Sequence, residues 1–178
     1  IIENEPSRLS EVKNISPNKA EKVAESIGKQ TGQSKMIAWL APFGVTPRKA
    51  VAIAKYYKVD SIASAIKSFE EIKQDPYALC RKIKGIGFKT IDSYGLSIGI
   101  PAAHSGRIQA AALHILEEQT SLGNCGVRST EFVKLLVELL DLDRGLIIDQ
   151  IKKLLESNDL ISSPVTIKDE EVKCVFRR

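Results

Sequence analysis

The sequence has no run of 18 apolar residues, and it does not begin with a signal peptide. A membrane-spanning helix needs about 20 consecutive apolar residues, so none is expected. The chain begins with Ile1 rather than Met, and we interpret it as a piece of a longer protein. Its 178 residues, 43% of them hydrophobic, can bury one good core or two small ones.

Cysteine is also scarce. Cys80, Cys125 and Cys174 are far apart, no C-x-x-C motif occurs, and His104 and His114 are not close to them in sequence. This pattern predicts thiols in a reducing compartment, a bacterial-type cytoplasm, and no zinc or other metal site. We expect Cys80 and Cys174 to pack as small hydrophobic residues.

A catalytic constellation is missing as well. No Ser has an evident His–Asp pair, and no carboxylates have the spacing of metal ligands. The segment 85–90 is only superficially like a nucleotide-binding P-loop, which has G-x-x-x-x-G-K-[ST] after a strand. Phe88 stands where that motif has Gly, and the preceding residues have a helical pattern. We therefore expect no ATP binding, no cofactor and no enzymatic activity from this chain.

Charge is unevenly distributed along the chain. Residues 1–103 carry 16 Lys/Arg and 10 Asp/Glu, a net charge of +6, whereas residues 104–178 carry 10 and 12, a net charge of −2. The basic part favours a polyanion such as DNA as partner. The alternative is a basic surface that is merely solvated.

What the sequence does have is the motif KGIGFKT at residues 84–90. Two glycines flank Ile86, which we expect to point inward, and Lys84 and Lys89 add charge at the rim. Glycine permits a positive φ, and the helix that follows would present backbone N–H groups to an anion. The motif therefore predicts a hairpin that binds phosphate. The alternative is an ordinary glycine-rich turn between two helices.

This motif is repeated twice earlier, as GVTPRKA at 44–50 and NISPNKA at 14–20. Each copy has an aliphatic residue, then a small or capping residue, then a basic residue. Each following helix has an apolar stripe with i, i+3, i+4, i+7 spacing. The stripes are Ala20, Val23, Ala24 and Ile27; Ala50, Ile53, Ala54 and Tyr57; and Ile91, Tyr94, Gly95 and Ile98. Three tandem helix–hairpin–helix units explain the repetition.

Capping residues predict where these helices begin and end. Ser16 and Thr46 each precede a proline, so we expect both hydroxyls to cap their own helices. The first helix is predicted to end near Ile27, before Gly28, and a second core helix to span residues 29–40. Asp75-Pro76, Ser61 and Gly99 similarly mark helix boundaries.

Residues 104–178 have a different pattern. The predicted elements are a helix at 105–119, a short strand within 122–127, helices beginning at Ser129 and Asp143, and strands at 160–167 and 172–176 around a turn at Asp169-Glu170. Helix, strand, helix, helix, hairpin is the order of a winged-helix domain. We place the boundary between the two domains near residues 100–104.

Lys89 and Asp92 suggest a further hypothesis. Some helix–hairpin–helix proteins are glycosylases or lyases that use a Lys beside the hairpin and an Asp downstream. A DNA-repair lyase is therefore one alternative. The three-residue spacing is more simply that of a surface ion pair on one helix. Another alternative is a protein-interaction scaffold whose hairpins serve only to pack helices.

Several motifs resemble the N-terminal region of RecD-like (RecD/TraA-type) ATP-dependent DNA helicases. They are DPYAL at 75–79, IGFKTID at 86–92, GIP at 99–101 and FGVTP at 43–47, within a resemblance that covers roughly residues 7–160. The sequence departs from the family pattern at Ile91 and Asn14, where Ala and Gly are typical. The resemblance implies a tandem helix–hairpin–helix module ahead of a motor that unwinds DNA 5′ to 3′ and uses ATP and Mg, a motor absent from this sequence.

Together these observations predict a mainly α fold. Tandem helix–hairpin–helix repeats occupy residues 1–103, and a small winged-helix-like α+β domain occupies residues 104–178. The predicted function is DNA binding through phosphates without reading base sequence, with the rest of the helicase chain as a further partner. The predicted DNA-binding residues are Lys84, Gly85, Ile86, Gly87, Phe88, Lys89, Thr90, Gly44, Val45, Thr46, Arg48, Lys49, Ser16, Asn18 and Lys19. The hairpin at 84–90 is expected to make the strongest contact, because only this copy has glycine on both sides of the aliphatic residue.

Overall fold

The computed structural model describes residues 6–13, 15–83, 85–167 and 170–177. Residue contacts divide the chain into two compact units, residues 1–86 and 87–178. The first unit contains a 3₁₀ helix at Pro6–Glu11, α1 at Pro17–Leu40, a 3₁₀ turn at Ala41–Phe43, α2 at Pro47–Tyr56, α3 at Ile62–Gln74 and α4 at Ala78–Lys82. The second unit contains α5 at Phe88–Ser97, α6 at Ser105–Ser121, β1 at Val127–Arg128, α7 at Ser129–Leu140, α8 at Arg144–Glu156, β2 at Leu160–Ile167 and β3 at Glu170–Arg177. The fold is mainly α with a small antiparallel sheet, as predicted.

Helix α1 is one continuous helix, so the predicted break after Ile27 is wrong. Gly28 and Gly32 lie inside the helix and face the backbone between α2 and α3. A Cβ at Gly28 would lie 3.0 Å from the carbonyl oxygen of Asp60, and one at Gly32 would lie 2.6 Å from that of Ser61. These glycines therefore permit close packing of two chain segments, which offsets their poor helix propensity.

The predicted helix starts are largely present. The Ser16 hydroxyl accepts the Lys19 N–H at 3.4 Å, and Ser61 and Ser64 form a reciprocal capping box at the start of α3. The expected hydroxyl cap at Thr46 is wrong. Its side chain makes no capping hydrogen bond, and only its carbonyl oxygen accepts the Ala50 N–H, at 2.9 Å.

The apolar stripes of α2 and α5 face the cores of their units. The innermost positions of α2 are fully buried, and so are those of α5. The stripe on the first half of α1 is only partly buried, since Ala20 is buried but Val23 is exposed. The core side of α1 instead runs through Gly32, Met36 and Leu40, where the helix packs with α2 and α3.

The second unit has the element order that the sequence predicts, with α6, β1, α7, α8 and the β2–β3 hairpin in succession. Its sheet has the antiparallel strand order β1-β3-β2, with Val127 opposite Val175. The short strand begins only at Val127, after the glycine-rich segment. Gly126 lies against the Phe176 ring, where a Cβ would come within 2.4 Å of a ring carbon. The turn residue Asp169 lies outside the described residues, and Glu170 begins β3.

The two compact units divide before α5, earlier than the predicted boundary near residues 100–104. The physical reason is that α5 packs against α6, where the Phe88 ring stacks on His114 with centroids 5.6 Å apart. Gly99 ends α5 with a φ of +87°, the left-handed conformation that the sequence predicts for this C-terminal glycine.

Within the part of the chain that the structure describes, no helix combines the length and the apolar character that a membrane span requires. In the same residues, no group of three or more His, Cys, Asp or Glu side chains gathers to hold a metal. None of the three cysteines described forms a disulfide. Cys174 is buried as predicted, whereas Cys80 is only half-buried and Cys125 is exposed.

Candidate nucleic-acid interface

The hairpin between α4 and α5 has a well-defined local backbone. Gly85 has a φ of +88°, which strongly favours glycine, and Gly87 is the extended N-cap of α5 at φ −79° and ψ 150°. Between them, Ile86 is 6% exposed, and its N–H donates to the Ile83 carbonyl at 3.3 Å. The inward orientation predicted for Ile86 is confirmed. Lys84 lies outside the described residues.

The hairpin before α2 has the same backbone pattern. Gly44 has a φ of +74°, Val45 is 3% exposed, and Thr46 is an extended N-cap at φ −65° and ψ 154°. The succession of left-handed glycine, buried aliphatic residue and extended N-cap is therefore common to residues 44–46 and 85–87. The repeat predicted from the sequence is present in the backbone of these two hairpins.

The first hairpin shares only part of this pattern. Ser16 is an extended N-cap at φ −76° and ψ 157°, and Ile15 before it is half-buried. Asn14, which would occupy the position of the left-handed glycine, lies outside the described residues. Asn18 and Lys19, both predicted to bind DNA, are exposed at the start of α1.

The three helices differ in the backbone N–H groups of their first turns. These groups have no acceptor within the helix, and they carry the positive end of its dipole. Helix α5 begins with Phe88, which has an N–H, whereas α1 and α2 begin with prolines, which have none. In α1, the Ser16 hydroxyl also accepts the Lys19 N–H. The first position of α5 therefore has a backbone N–H, which the first positions of α1 and α2 lack.

Three predicted DNA-binding residues have side chains that face the protein interior. Phe88 is buried and stacks on His114, so its side chain packs the second unit and only its backbone could contact DNA. The side chains of Ile86 and Val45 are also buried. Apolar side chains at these positions fix the turns from inside, which is why only their backbone groups fit the proposed contact.

The basic side chains after the two hairpins differ in their surroundings. Lys89 is 72% exposed, and its Nζ lies 3.6 Å from a carboxylate oxygen of Glu118 on α6. The same oxygen lies 3.3 Å from Nε2 of His114. After the hairpin at 44–46, Arg48 is exposed and Lys49 is half-buried. Thr90, which follows Lys89 in α5, is also half-buried. Lys89 thus has an acidic neighbour that could compete with a phosphate.

Asp92 pairs with Arg107, so the predicted Lys89–Asp92 surface pair is wrong. Nε and Nη2 of Arg107 donate to the two carboxylate oxygens at 2.7 and 3.0 Å. The Arg107 and Asp92 side chains are only 6% and 15% exposed. Sequence reasoning missed Arg107, because its partner is 15 residues away and no local pattern marks the pair.

One family model matches residues 29–126, and its description is ATP-dependent RecD2 DNA helicase HHH domain. The match covers more than half of the chain. The chain belongs to this family. The matched residues include the two hairpins that share one backbone pattern, whereas the first hairpin and the strands β2 and β3 lie outside them. The resemblance to RecD-like helicases is confirmed.

Proposed function

We propose that the chain binds DNA through backbone phosphates, without reading base sequence, as an accessory region of a DNA helicase. The observation that carries this proposal is the backbone pattern shared by residues 44–46 and 85–87, with a left-handed glycine and an extended N-cap before a helix. Membership of the RecD2 helicase HHH family supports a DNA-binding accessory role in general.

The physical basis is the combination of helix N-termini with positive side chains. First-turn N–H groups of α2 and α5 would donate to phosphate oxygens, and Arg48, Lys49, Lys84 and Lys89 would add charge. Phosphates are the same at every nucleotide, so such contacts carry no base information. The net charge of +6 over residues 1–103 agrees with this role.

The first hairpin has a smaller part in this proposal. Ser16, Asn18 and Lys19 can add a contact, but the Ser16 hydroxyl already accepts one first-turn N–H. The residues of the first hairpin also lie outside the region matched by the family model. We therefore rank the hairpin at 84–90 first and the hairpin at 44–50 second.

We also propose that this chain has no ATPase activity and needs no cofactor. ATP-driven 5′-to-3′ unwinding, with Mg, would belong to motor domains elsewhere in the parent helicase. Residues 104–178 are proposed to be a winged-helix-like domain, on the basis of their element order. A cytoplasmic, reducing location and a part in DNA repair or recombination are consistent with a helicase of this kind.

A protein-interaction scaffold is the competing function. The burial of Val45, Ile86 and Phe88 favours it, because these side chains show that both hairpins also pack helices. The two functions differ in their response to salt. Binding of DNA phosphates releases counterions and weakens steeply as salt rises, whereas a scaffold would have no such DNA affinity.

The test is the fluorescence anisotropy of a random-sequence oligonucleotide titrated with this chain at several salt concentrations. With about four phosphate contacts, affinity should fall about 100-fold between 50 and 200 mM salt. A second oligonucleotide of unrelated sequence should bind equally well. No binding at low salt, or binding that salt does not affect, would exclude the proposed function and favour the scaffold.

A further inference from the structure

An exposed aromatic ring lies among basic residues at the end of α2. Tyr56 is the last residue of this helix and is 44% exposed. It lies off the stripe of α2 that faces the core, which is formed by Ala50, Ile53 and Ala54. Lys55 and Lys58 flank it in sequence, and both are exposed.

A third lysine reaches this ring from α4. Nζ of Lys82 lies 5.9 Å from the centroid of the Tyr56 ring. Lys82 is exposed and ends α4, three residues before the left-handed Gly85. Three residues of chain span at most about 11 Å, so the Cα atom of Lys82 lies within that distance of the Cα atom of Gly85.

The neighbouring Tyr57 has a different environment. Its ring meets that of Tyr56 edge to face, with centroids 5.2 Å apart. Burial is the main cause that raises the pKa of the Tyr57 hydroxyl, and the Glu71 carboxylate adds to the effect. Tyr57 is therefore the packed member of the pair, and Tyr56 is the ring among the lysines.

We infer that Tyr56 is a stacking platform for a base of single-stranded DNA, with Lys55, Lys58 and Lys82 contacting the adjacent phosphates. This inference rests on the proposed function, which it extends by naming single strands as a preferred substrate. Sites for single strands combine positive charge along the backbone with aromatic rings that stack bases of any sequence. The bases within a duplex already stack on each other, so a duplex offers this ring no base except at its ends.

Stacking of a base would replace the contact between Lys82 and the ring. The contact of a lysine with an exposed aromatic ring is weak, whereas a base that stacks on the ring contributes a larger binding free energy. The displaced ammonium group would remain beside the strand, where it can contact a phosphate. Lys82 would thus contact the Tyr56 ring in the free protein and a phosphate in the complex.

The experiment compares two probes of equal phosphate number, oligo(dT) and a chain of tetrahydrofuran abasic units. Anisotropy gives the affinity of each probe for the wild-type chain and for Tyr56→Ala, Tyr56→Leu and Tyr56→Phe. Ile66→Ala, which also removes an exposed apolar side chain from the first unit, is the matched control. Melting temperatures establish that each variant is folded.

We expect the wild-type chain to prefer oligo(dT) over the abasic chain by about 5- to 100-fold. Tyr56→Ala and Tyr56→Leu should lose this preference, whereas Tyr56→Phe and Ile66→Ala should keep it. The dependence of affinity on salt should be the same for Tyr56→Ala and the wild type, because no phosphate contact is removed.

Two results would overturn the inference while leaving the proposed function intact. One is salt-dependent binding in which Tyr56→Ala retains the preference for bases. The other is an equal loss of affinity by Tyr56→Ala for both probes, since the ring would then not contact bases. If the wild-type chain bound neither probe at low salt, the proposed function itself would fail, and this inference with it.

Discussion

The guanidinium group of Arg107 and the carboxylate of Asp92 form a two-pronged ion pair inside the second unit, with N–O distances of 2.7 and 3.0 Å. Arg107 Nη1 also donates to the carbonyl oxygens of Ala102 and Leu140. The Arg107 side chain on α6 therefore connects α5, the segment that follows α5 and the end of α7 by hydrogen bonds. Asp92 is committed to this pair, which argues against a lyase that would use it beside Lys89.

Arg107→Ala should destabilise the chain by about 3–5 kcal/mol, because it removes the guanidinium group that pairs with the half-buried Asp92 carboxylate. Urea denaturation measures this loss. Lys134→Ala is the control, since Lys134 and Glu138 form an exposed pair at 3.9 Å on α7, and it should change stability by less than about 0.5 kcal/mol. If Arg107→Ala lowers the free energy of unfolding by less than about 1 kcal/mol, the ion pair is not a major source of stability in the second unit.

Glu118→Gln should strengthen DNA binding by about 1.5- to 5-fold, the scale of an exposed ion pair. The change removes the carboxylate that lies 3.6 Å from Lys89, so the ammonium group no longer has to leave it for a phosphate. Anisotropy at fixed salt measures the effect. Glu138→Gln removes an exposed carboxylate of α7 and is the control for the change in net charge. Equal effects of the two variants would mean that Glu118 acts only through net charge.

Gly87→Ser should leave the melting temperature unchanged and weaken DNA binding. Ser16 occupies the corresponding N-cap with nearly the same φ and ψ, and a Cβ at Gly87 would meet no described atom within 4 Å. Serine is also a good N-cap, so stability is retained. The added side chain would stand where a phosphate approaches the backbone.

Gly32→Ala is the opposite case and completes this comparison. Its Cβ would lie 2.6 Å from the Ser61 carbonyl oxygen, so thermal melting should show a loss of about 1–3 kcal/mol. The DNA affinity of the folded fraction of Gly32→Ala should be unchanged.

Unaltered DNA binding by Gly87→Ser would indicate that no phosphate closely approaches the hairpin at 84–90.

Local patterns in the sequence were enough to predict much of the fold. The apolar spacing of α2 and α5 and the capping residues Ser16 and Ser61 act within a few residues, so a sequence window contains the whole signal. The prediction that Gly28 ends a helix was wrong because the role of this glycine depends on a residue far away in the sequence. It allows close approach of the distant Asp60 backbone, and a local rule interprets the same glycine as a helix end.

The candidate site shows the same limit. The left-handed glycines and the buried Ile86 follow from the motif itself. The partners of Lys89 and Asp92 do not, because Glu118 and Arg107 are on a different helix and only the packing of α5 with α6 brings them close. Charge pairs between helices require tertiary structure, whereas the spacing along one helix suggested the wrong pair.

The central claim is that the hairpin at 84–90 binds phosphates, and the salt dependence of two double variants tests it most directly. Lys84→Ala with Lys89→Ala removes two positive charges and leaves the turn intact. Arg48→Ala with Lys49→Ala does the same at the hairpin before α2. The measurement is the slope of log affinity against log salt, taken from anisotropy with one random-sequence oligonucleotide.

The account predicts that the Lys84/Lys89 pair lowers the magnitude of this slope by about 1–2 units and that the Arg48/Lys49 pair weakens binding less. Melting temperatures should barely change for either variant, since Lys89, Arg48 and half-buried Lys49 add little to the cores. A greater loss from the Arg48/Lys49 pair would reverse the ranking of the hairpins. Unchanged affinity and slope for both pairs would contradict the central claim and leave the hairpins with a packing role alone.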